Sequence, residues 1–247
     1  MDLGLKDTRA LVTAASKGLG RACAAALVAE GARVFIVSRD EARLSETQQE
    51  IGAAGHLAVD LAQPGSPEKA VAAALASLEG LDVLVCNAGG PPPGTFESTP
   101  VEAWENGYHL TLMSTVRLTK AALPALKESG RGRIVNITSI SVRQPIPNIL
   151  LSNAFRSAVT AMAKTLSAEV ASFGVTVNNL APGTILTDRM YQLYSGNMDD
   201  VARGIPAGRI GDPPEFGAVC AFLCSRQAGY ITGQTIGVDG GALRGVH

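Results

Sequence analysis

The feature that most limits what this chain can become is a repeated alternation of short, apolar, β-branched runs with longer helical stretches. Arg9 to Thr13 reads as a strand, followed by an alanine-rich helix from Leu19 to Glu30. Arg33 to Ser38 is a second strand and Glu41 to Ala53 an amphipathic helix, with a short third strand at His56 to Val59. Glu68 to Leu78 is helical and Leu81 to Cys86 is a fourth strand. The spacing predicts a long helix over Val101 to Lys127, a fifth strand at Arg133 to Thr138, and a second long helix over Asn148 to Phe173. A sixth strand at Val175 to Leu180, a helix at Pro214 to Cys224 and a last strand at Gln234 to Val238 complete the series. Strands this short and apolar are buried on both faces, which requires a parallel sheet with helices on either side. Right-handed crossovers then give an α/β, doubly wound sheet of about seven strands, the Rossmann arrangement. No Pro/Gly-rich linker interrupts the alternation, so residues 1–247 read as one domain. The least regular segment, Thr184 to Gly211, is the candidate substrate lid.

Charge and hydropathy narrow the partners. Lys and Arg number 21 against 22 Asp and Glu, with no block of either sign, which disfavours nucleic acid and anionic membranes. No apolar stretch approaches the ~20 residues that span a bilayer, and the start of the chain lacks the pattern of a secretory signal. Of the cysteines at 23, 86, 220 and 224, only the last two are close, at helical i,i+4 spacing. A metal pair there lacks further ligands, and small core residues on a buried helix face is the favoured reading. Reduced thiols without a targeting segment point to the cytoplasm.

The first strand runs into Thr13-Ala14-Ala15-Ser16-Lys17-Gly18-Leu19-Gly20, which opens the first helix. Gly18 and Gly20 let the backbone approach a pyrophosphate, and a helix N-terminus offers it free N–H groups. A tight strand-to-helix connection would look similar, but this one follows the first strand of a βαβ series. Ala14 stands where a glycine would be usual, and its methyl group is tolerable if the local φ is negative. The second strand ends on Ser38 and Arg39 rather than on a carboxylate for the ribose hydroxyls of NAD. A hydroxyl and a guanidinium, with Lys17 as a second cation, suit a 2′-phosphate, so NADP(H) is favoured over NAD(H).

Taken together, these motifs resemble those of the short-chain dehydrogenase/reductase family over essentially the whole length, with the bacterial 3-oxoacyl-acyl-carrier-protein reductases the nearest in character. Thr13 to Gly20 resembles the family's nucleotide turn; Asp60, with Leu61 beside it, matches the residues that meet adenine. Asn87-Ala88-Gly89 matches the element after the fourth strand. Pro182-Gly183 with Thr187 matches the loop that closes on nicotinamide, and Thr232 to Gly241 matches the last strand and its tail. The resemblance implies an oxidoreductase of a carbonyl or alcohol substrate, possibly of 3-oxoacyl type, working as a homo-oligomer, most simply a tetramer.

Ser139 fits the family's catalytic serine at the end of the fifth strand. The tyrosine and lysine expected thirteen and seventeen residues later are Ser152 and Arg156, and the asparagine expected seven residues after Trp104 is Thr111. In the family mechanism the tyrosine protonates the carbonyl oxygen, and the lysine lowers its pKa and holds the ribose. A serine hydroxyl is a far weaker acid than a phenol at ~10. Arg156 can still donate to ribose hydroxyls but, with a pKa above ~12, passes no proton on. Tyr191 and Tyr194 in the lid are substitute acids or ordinary packing; His109 reads as a surface or interface residue and Tyr108 as core. Lys164 lies two helical turns past Arg156, too far to replace the ribose contact, and Arg143 either binds an anionic substrate or is solvated. Two functions follow from the same residues: a reductase with a reorganised site, or a dinucleotide-binding protein with little activity, acting as a sensor or partner subunit.

Overall fold

The computed structural model describes residues 2–193 and 197–245, without the side chains of residues 192 and 193. The apolar runs form strands β1 (Arg9–Thr13), β2 (Arg33–Ser38), β3 (Gly55–Ala58), β4 (Val83–Cys86), β5 (Arg133–Ile137), β6 (Thr176–Pro182) and β7 (Thr235–Val238). All pair in parallel in the order β3-β2-β1-β4-β5-β6-β7, as the doubly wound reading requires. Between them run α1 (Gly18–Ala29), α2 (Glu41–Ile51), α3 (Ser66–Leu78), α4 (Val101–Gly107), α5 (Ser114–Glu128), α6 (Leu150–Val170), α7 (Asp188–Leu193), α8 (Met198–Arg203) and α9 (Pro213–Cys224).

Alternation of side chains along each strand feeds two separate cores. On β1, Ala10 and Val12 face α1 and α9, where they meet Leu27, Phe216, Leu223 and Cys23. Leu11 faces the other way, with Leu84, Val71, Leu118, Leu126 and Val170 under α3, α5 and α6. Each fully buried Leu, Ile or Val contributes about 1.5–3 kcal/mol, which is why the strands are mostly apolar. Cys220 and Cys224 pack in the first core with Cys23 as free, buried thiols. The contact with Cys220 and burial raise the pKa of Cys224; against the lowering contact from Cys224, Cys23 and burial raise that of Cys220. At the amino end of the sheet, Asp82 is buried and accepts hydrogen bonds from Arg9 N, Nε and Nη2, each at 2.9 Å. Arg131 adds longer contacts at 3.4 Å.

Two helix expectations need correcting. The stretch from Val101 to Lys127 is not one α-helix: a π-helical segment, Tyr108–Met113, separates α4 from α5. Such widened turns re-aim side chains, often at functional sites, and this one turns Thr111 inward, leaving it 3% exposed. The second long helix begins at Leu150, because Asn148 adopts φ +62°, a left-handed conformation that asparagine tolerates and that ends the preceding turn.

Candidate active site

The strand order reverses between β1 and β4, and their carboxyl ends open the crevice in which doubly wound folds bind ligands. Thr13 stitches this crevice together rather than facing it, contrary to its assignment as a cofactor contact. Its hydroxyl donates to Asn87 O at 2.7 Å and accepts from Asn87 N at 2.8 Å, and the side chain is fully buried. Ala14 follows with φ +47°, outside the negative range in which its methyl group would be tolerated, so it strains the turn. Gly20 is dictated by space: a Cβ there would collide with the Ala14 carbonyl and lie 2.9 Å from Asn87 Nδ2. Gly18 takes φ +56°, with the Thr187 methyl packed against it. The N-terminus of α1 has no side-chain cap and no acidic residue in its first turn, so its amides are available to an anion.

The residues expected to select the nucleotide lie beside this turn. Ser16 Oγ donates to Ser38 Oγ at 3.0 Å, and Thr47 Oγ1 holds the Ser16 carbonyl at 3.1 Å. Arg39 is exposed at the crevice edge. The neighbouring Asp40 is the N-cap of α2, accepting from Arg43 N. Lys17 is less free than the sequence suggests: its Nζ is 2.8 Å from Asp188 Oδ2 at the start of α7, and the Lys17 hydrogen bond and charge hold that carboxyl below the usual range. Asp60 Oδ1 accepts from Ala62 N, which fixes the turn after β3, and Leu61 is buried beside it. Ala88 and Gly89 remain partly or fully accessible at the end of β4. Pro182 ends β6, and Gly183, hydrogen-bonded to Val238 O, has no room for a Cβ against Asp239.

The positions that depart from the family's pattern, Ser152, Arg156 and Thr111, form one connected group, with Ser139 tied separately. Ser139 is extended and caps the short 3₁₀ turn Ile140–Val142, accepting from Ser141 N at 3.1 Å. Arg156 Nε donates to Ser152 Oγ at 3.1 Å, and Nη1 donates to Ile137 O at 2.7 Å. The guanidinium of Arg156, expected to reach the ribose, is buried against β5, where it donates to a strand-end carbonyl. Burial, followed by the charge of Arg189, lowers its pKa to about 10, still far above neutrality. Thr111 shares with Arg156, Asn136, Cys86 and Ala88 the wall of a cavity of about 10 Å³, room for one water. Thr111 Oγ1 and Asn136 Oδ1 have no partner within the described protein. The Cys86 thiol is pushed up to about 12 by burial and is inert.

The substitute groups fare differently. Tyr191 is exposed, and Tyr194 lies outside the described residues. Tyr108, read as core, is 39% exposed, because the π segment swings it outward. His109 is partly buried, with Nδ1 unpartnered. Lys164 donates to Gly233 O and Arg143 to Thr235 O, so both tie the β7 region rather than facing the crevice. Arg189 was missed entirely. Its Nη2 donates to Pro91 O at 2.7 Å and the guanidinium lies over Gly90. The only sequence signal was Gly90 itself, a further glycine after Asn87-Ala88-Gly89.

Comparison with known proteins agrees with this geometry. Residues 13–242 match the family model described as enoyl-(acyl carrier protein) reductase. The 3-oxoacyl-[acyl-carrier-protein] reductase FabG of Vibrio cholerae is 35% identical over 240 residues, covering 97% of this chain and 98% of the relative. L-sorbose reductase from Gluconobacter frateurii, solved with NADPH and L-sorbose, superposes with a TM-score of 0.94 at 32% identity, covering 100% of both chains. A 3-oxoacyl reductase from Agrobacterium tumefaciens with NADP bound gives a TM-score of 0.92 at 30% identity, covering 97% of this chain and 96% of the other. With its strand order, its phosphate turn and relatives of this closeness along nearly its whole length, the chain belongs to the short-chain dehydrogenase/reductase family of oxidoreductases.

Proposed function

We propose that this protein is an NADP(H)-dependent oxidoreductase that reduces a carbonyl compound slowly, through a site lacking the usual acid. The single observation behind the cofactor is the uncapped N-terminus of α1 beside Ser38 and Arg39, with Asp40 diverted to capping. The pyrophosphate would sit on the amides of Gly18, Leu19 and Gly20, the 2′-phosphate against Ser16, Ser38, Arg39 and Lys17, and adenine near Asp60 and Leu61. Asn87, Ala88, Gly89, Pro182, Gly183 and Thr187 would frame the nicotinamide end, where the reduced cofactor supplies hydride. Ser139 would hydrogen-bond the substrate oxygen. Ser152 and Arg156 would present a hydroxyl beside a fixed positive charge, so the oxyanion is stabilised electrostatically and takes its proton from water. The segment 184–211 would cover the substrate.

The decisive measurement is a pair of binding titrations with NADPH and NADH, repeated on Arg39→Ala. Loss of a charge-assisted phosphate contact costs about 1.5–3 kcal/mol, so the variant should weaken NADPH binding ten- to a hundredfold and leave NADH nearly unchanged. Equal affinities for both cofactors in the unaltered protein would defeat the assignment.

A homotetramer fits the exposed face of α4 and α6. There Phe96 and Val101 are 79% and 71% exposed, and Phe96, Trp104 and Phe155 stack edge to face at 6.3 and 5.9 Å. A second copy would cover this face, and sedimentation showing only monomer at micromolar concentration would contradict it.

A further inference from the structure

The chain entering α7 rests on the turn that opens α1. Leu186, Thr187 and Asp188 share one groove with Gly18, Arg21 and Ala22, and the Thr187 methyl lies against Gly18. Lys17 Nζ is 2.8 Å from Asp188 Oδ2. The hydrogen bond and charge of Lys17 lower the pKa of that carboxyl, and the charge of Arg43, in the first turn of α2, adds to the effect. The other charges at this place have partners of their own. Arg21 Nη2 is paired with Glu50 at 2.8 Å, and Asp40 accepts from the Arg43 amide. Asp188 thus brings a carboxylate from the substrate-covering segment into the corner between α1 and α2. That is the corner in which Lys17, Ser38 and Arg39 would take the 2′-phosphate of the cofactor.

A phosphate monoester carries about −1.5 to −2 charges at pH 7, more than the single charge of a carboxylate, and like charges beside one another are disfavoured. The ammonium of Lys17 is a compact charge on a flexible stem, able to turn from one anion to the other. We infer that Asp188 is a specificity-determining residue for the cofactor: it holds Lys17 while the site is empty and yields it to the 2′-phosphate. The inference rests on the NADP(H) reading above and adds to it a residue outside the phosphate turn. NADH has no 2′-phosphate, so with NADH the pair of Lys17 and Asp188 persists. NADPH must break that pair before Lys17 can serve it. The carboxylate therefore lowers the affinity for NADPH and leaves that for NADH as it is.

The test is calorimetric titration of the full chain with NADPH, with NADH, and with 2′,5′-ADP, which carries the 2′-phosphate but no nicotinamide. The side chains of Lys17 and Asp188 are 52% and 64% exposed, so solvent screens their attraction. Asp188→Asn should accordingly tighten NADPH and 2′,5′-ADP by only about two- to fivefold, with NADH unchanged. Asp188→Glu keeps the charge and should return the affinities to those of the unaltered protein, which loss of a merely structural contact would not predict. In a Lys17→Met background, where the disputed cation is gone, Asp188→Asn should give no gain. An NADPH affinity unmoved by Asp188→Asn, an equal gain for NADH, or a gain that survives Lys17→Met would each overturn the inference. Failure of the unaltered protein to bind either NADPH or 2′,5′-ADP would instead strike the NADP(H) reading on which it rests.

Discussion

Restoring the missing acid tests the chemistry most directly. Ser152 and Arg156 sit one turn apart on α6, 8% and 9% exposed, joined by the 3.1 Å hydrogen bond from Nε to Oγ. With a pKa of about 10, Arg156 is deprotonated in only about one molecule in a thousand at pH 7. It therefore stands at neutral pH as a fixed positive charge. The double replacement Ser152→Tyr with Arg156→Lys puts a phenol and an ammonium in their place. A positioned general acid contributes about 10²–10⁴-fold, equivalent to about 3–5 kcal/mol of barrier, and the double variant should reduce carbonyl compounds faster by that factor. Ser152→Tyr alone drives a ring into the guanidinium it now touches, an overpacking that costs about 1–3 kcal/mol. Arg156→Lys alone gives up the 2.7 Å bond to Ile137 O and gains no acid. Either single change should therefore help little. The assay is NADPH consumption under saturating substrate, with circular dichroism and NADPH affinity as controls for folding and cofactor binding. A double variant that folds, binds NADPH and turns over no faster would refute the reasoning, as would an unaltered protein that already reduces ketones at rates usual for enzymes.

Two further outcomes follow from strain and burial elsewhere. Ala14 holds φ +47°, so Ala14→Gly should relieve about 1–2 kcal/mol of left-handed strain against about 0.5–1 kcal/mol of added chain entropy; thermal unfolding should rise by about 1–4 °C, and a fall would show the turn is not strained. Burial raises the pKa of Asp82, but the hydrogen bonds from Arg9 and Arg131 outweigh it and leave the carboxyl below its ordinary value. A group depressed in the folded state stabilises above its unfolded pKa near ~3.9 and loses that contribution as pH falls through the lower folded value. Stability should thus drop below about pH 4, and Asp82→Asn should flatten that acid limb while costing about 3 kcal/mol at neutral pH. Chemical denaturation across pH measures both.

The sequence by itself determined the fold and marked the candidate cofactor cradle. Strand burial on both faces requires unbroken apolar runs, so β1 through β7 announce themselves, and a strand that opens through Gly18 and Gly20 into a helix has few other uses. The absence of tyrosine, lysine and asparagine at positions 152, 156 and 111 was equally legible, because it depends on counting alone. What only the tertiary structure decided are the matters set by neighbours distant in the chain. Thr13 turned out to be a staple because Asn87, seventy-four residues away, presents both its N–H and its carbonyl to one hydroxyl. The positive φ at Ala14 belongs to a turn in which Gly20 is wedged under the Ala14 carbonyl, beside the Asn87 amide. Lys17 met Asp188, Asp40 turned away to cap α2, and Arg156 found a strand carbonyl instead of solvent. Arg189 had no local pattern at all; its place over Gly90 exists only once α7 is laid across the end of β4. Periodicity and composition report which face of an element is buried, whereas the partner of a long polar side chain depends on what the fold brings within three ångströms of it.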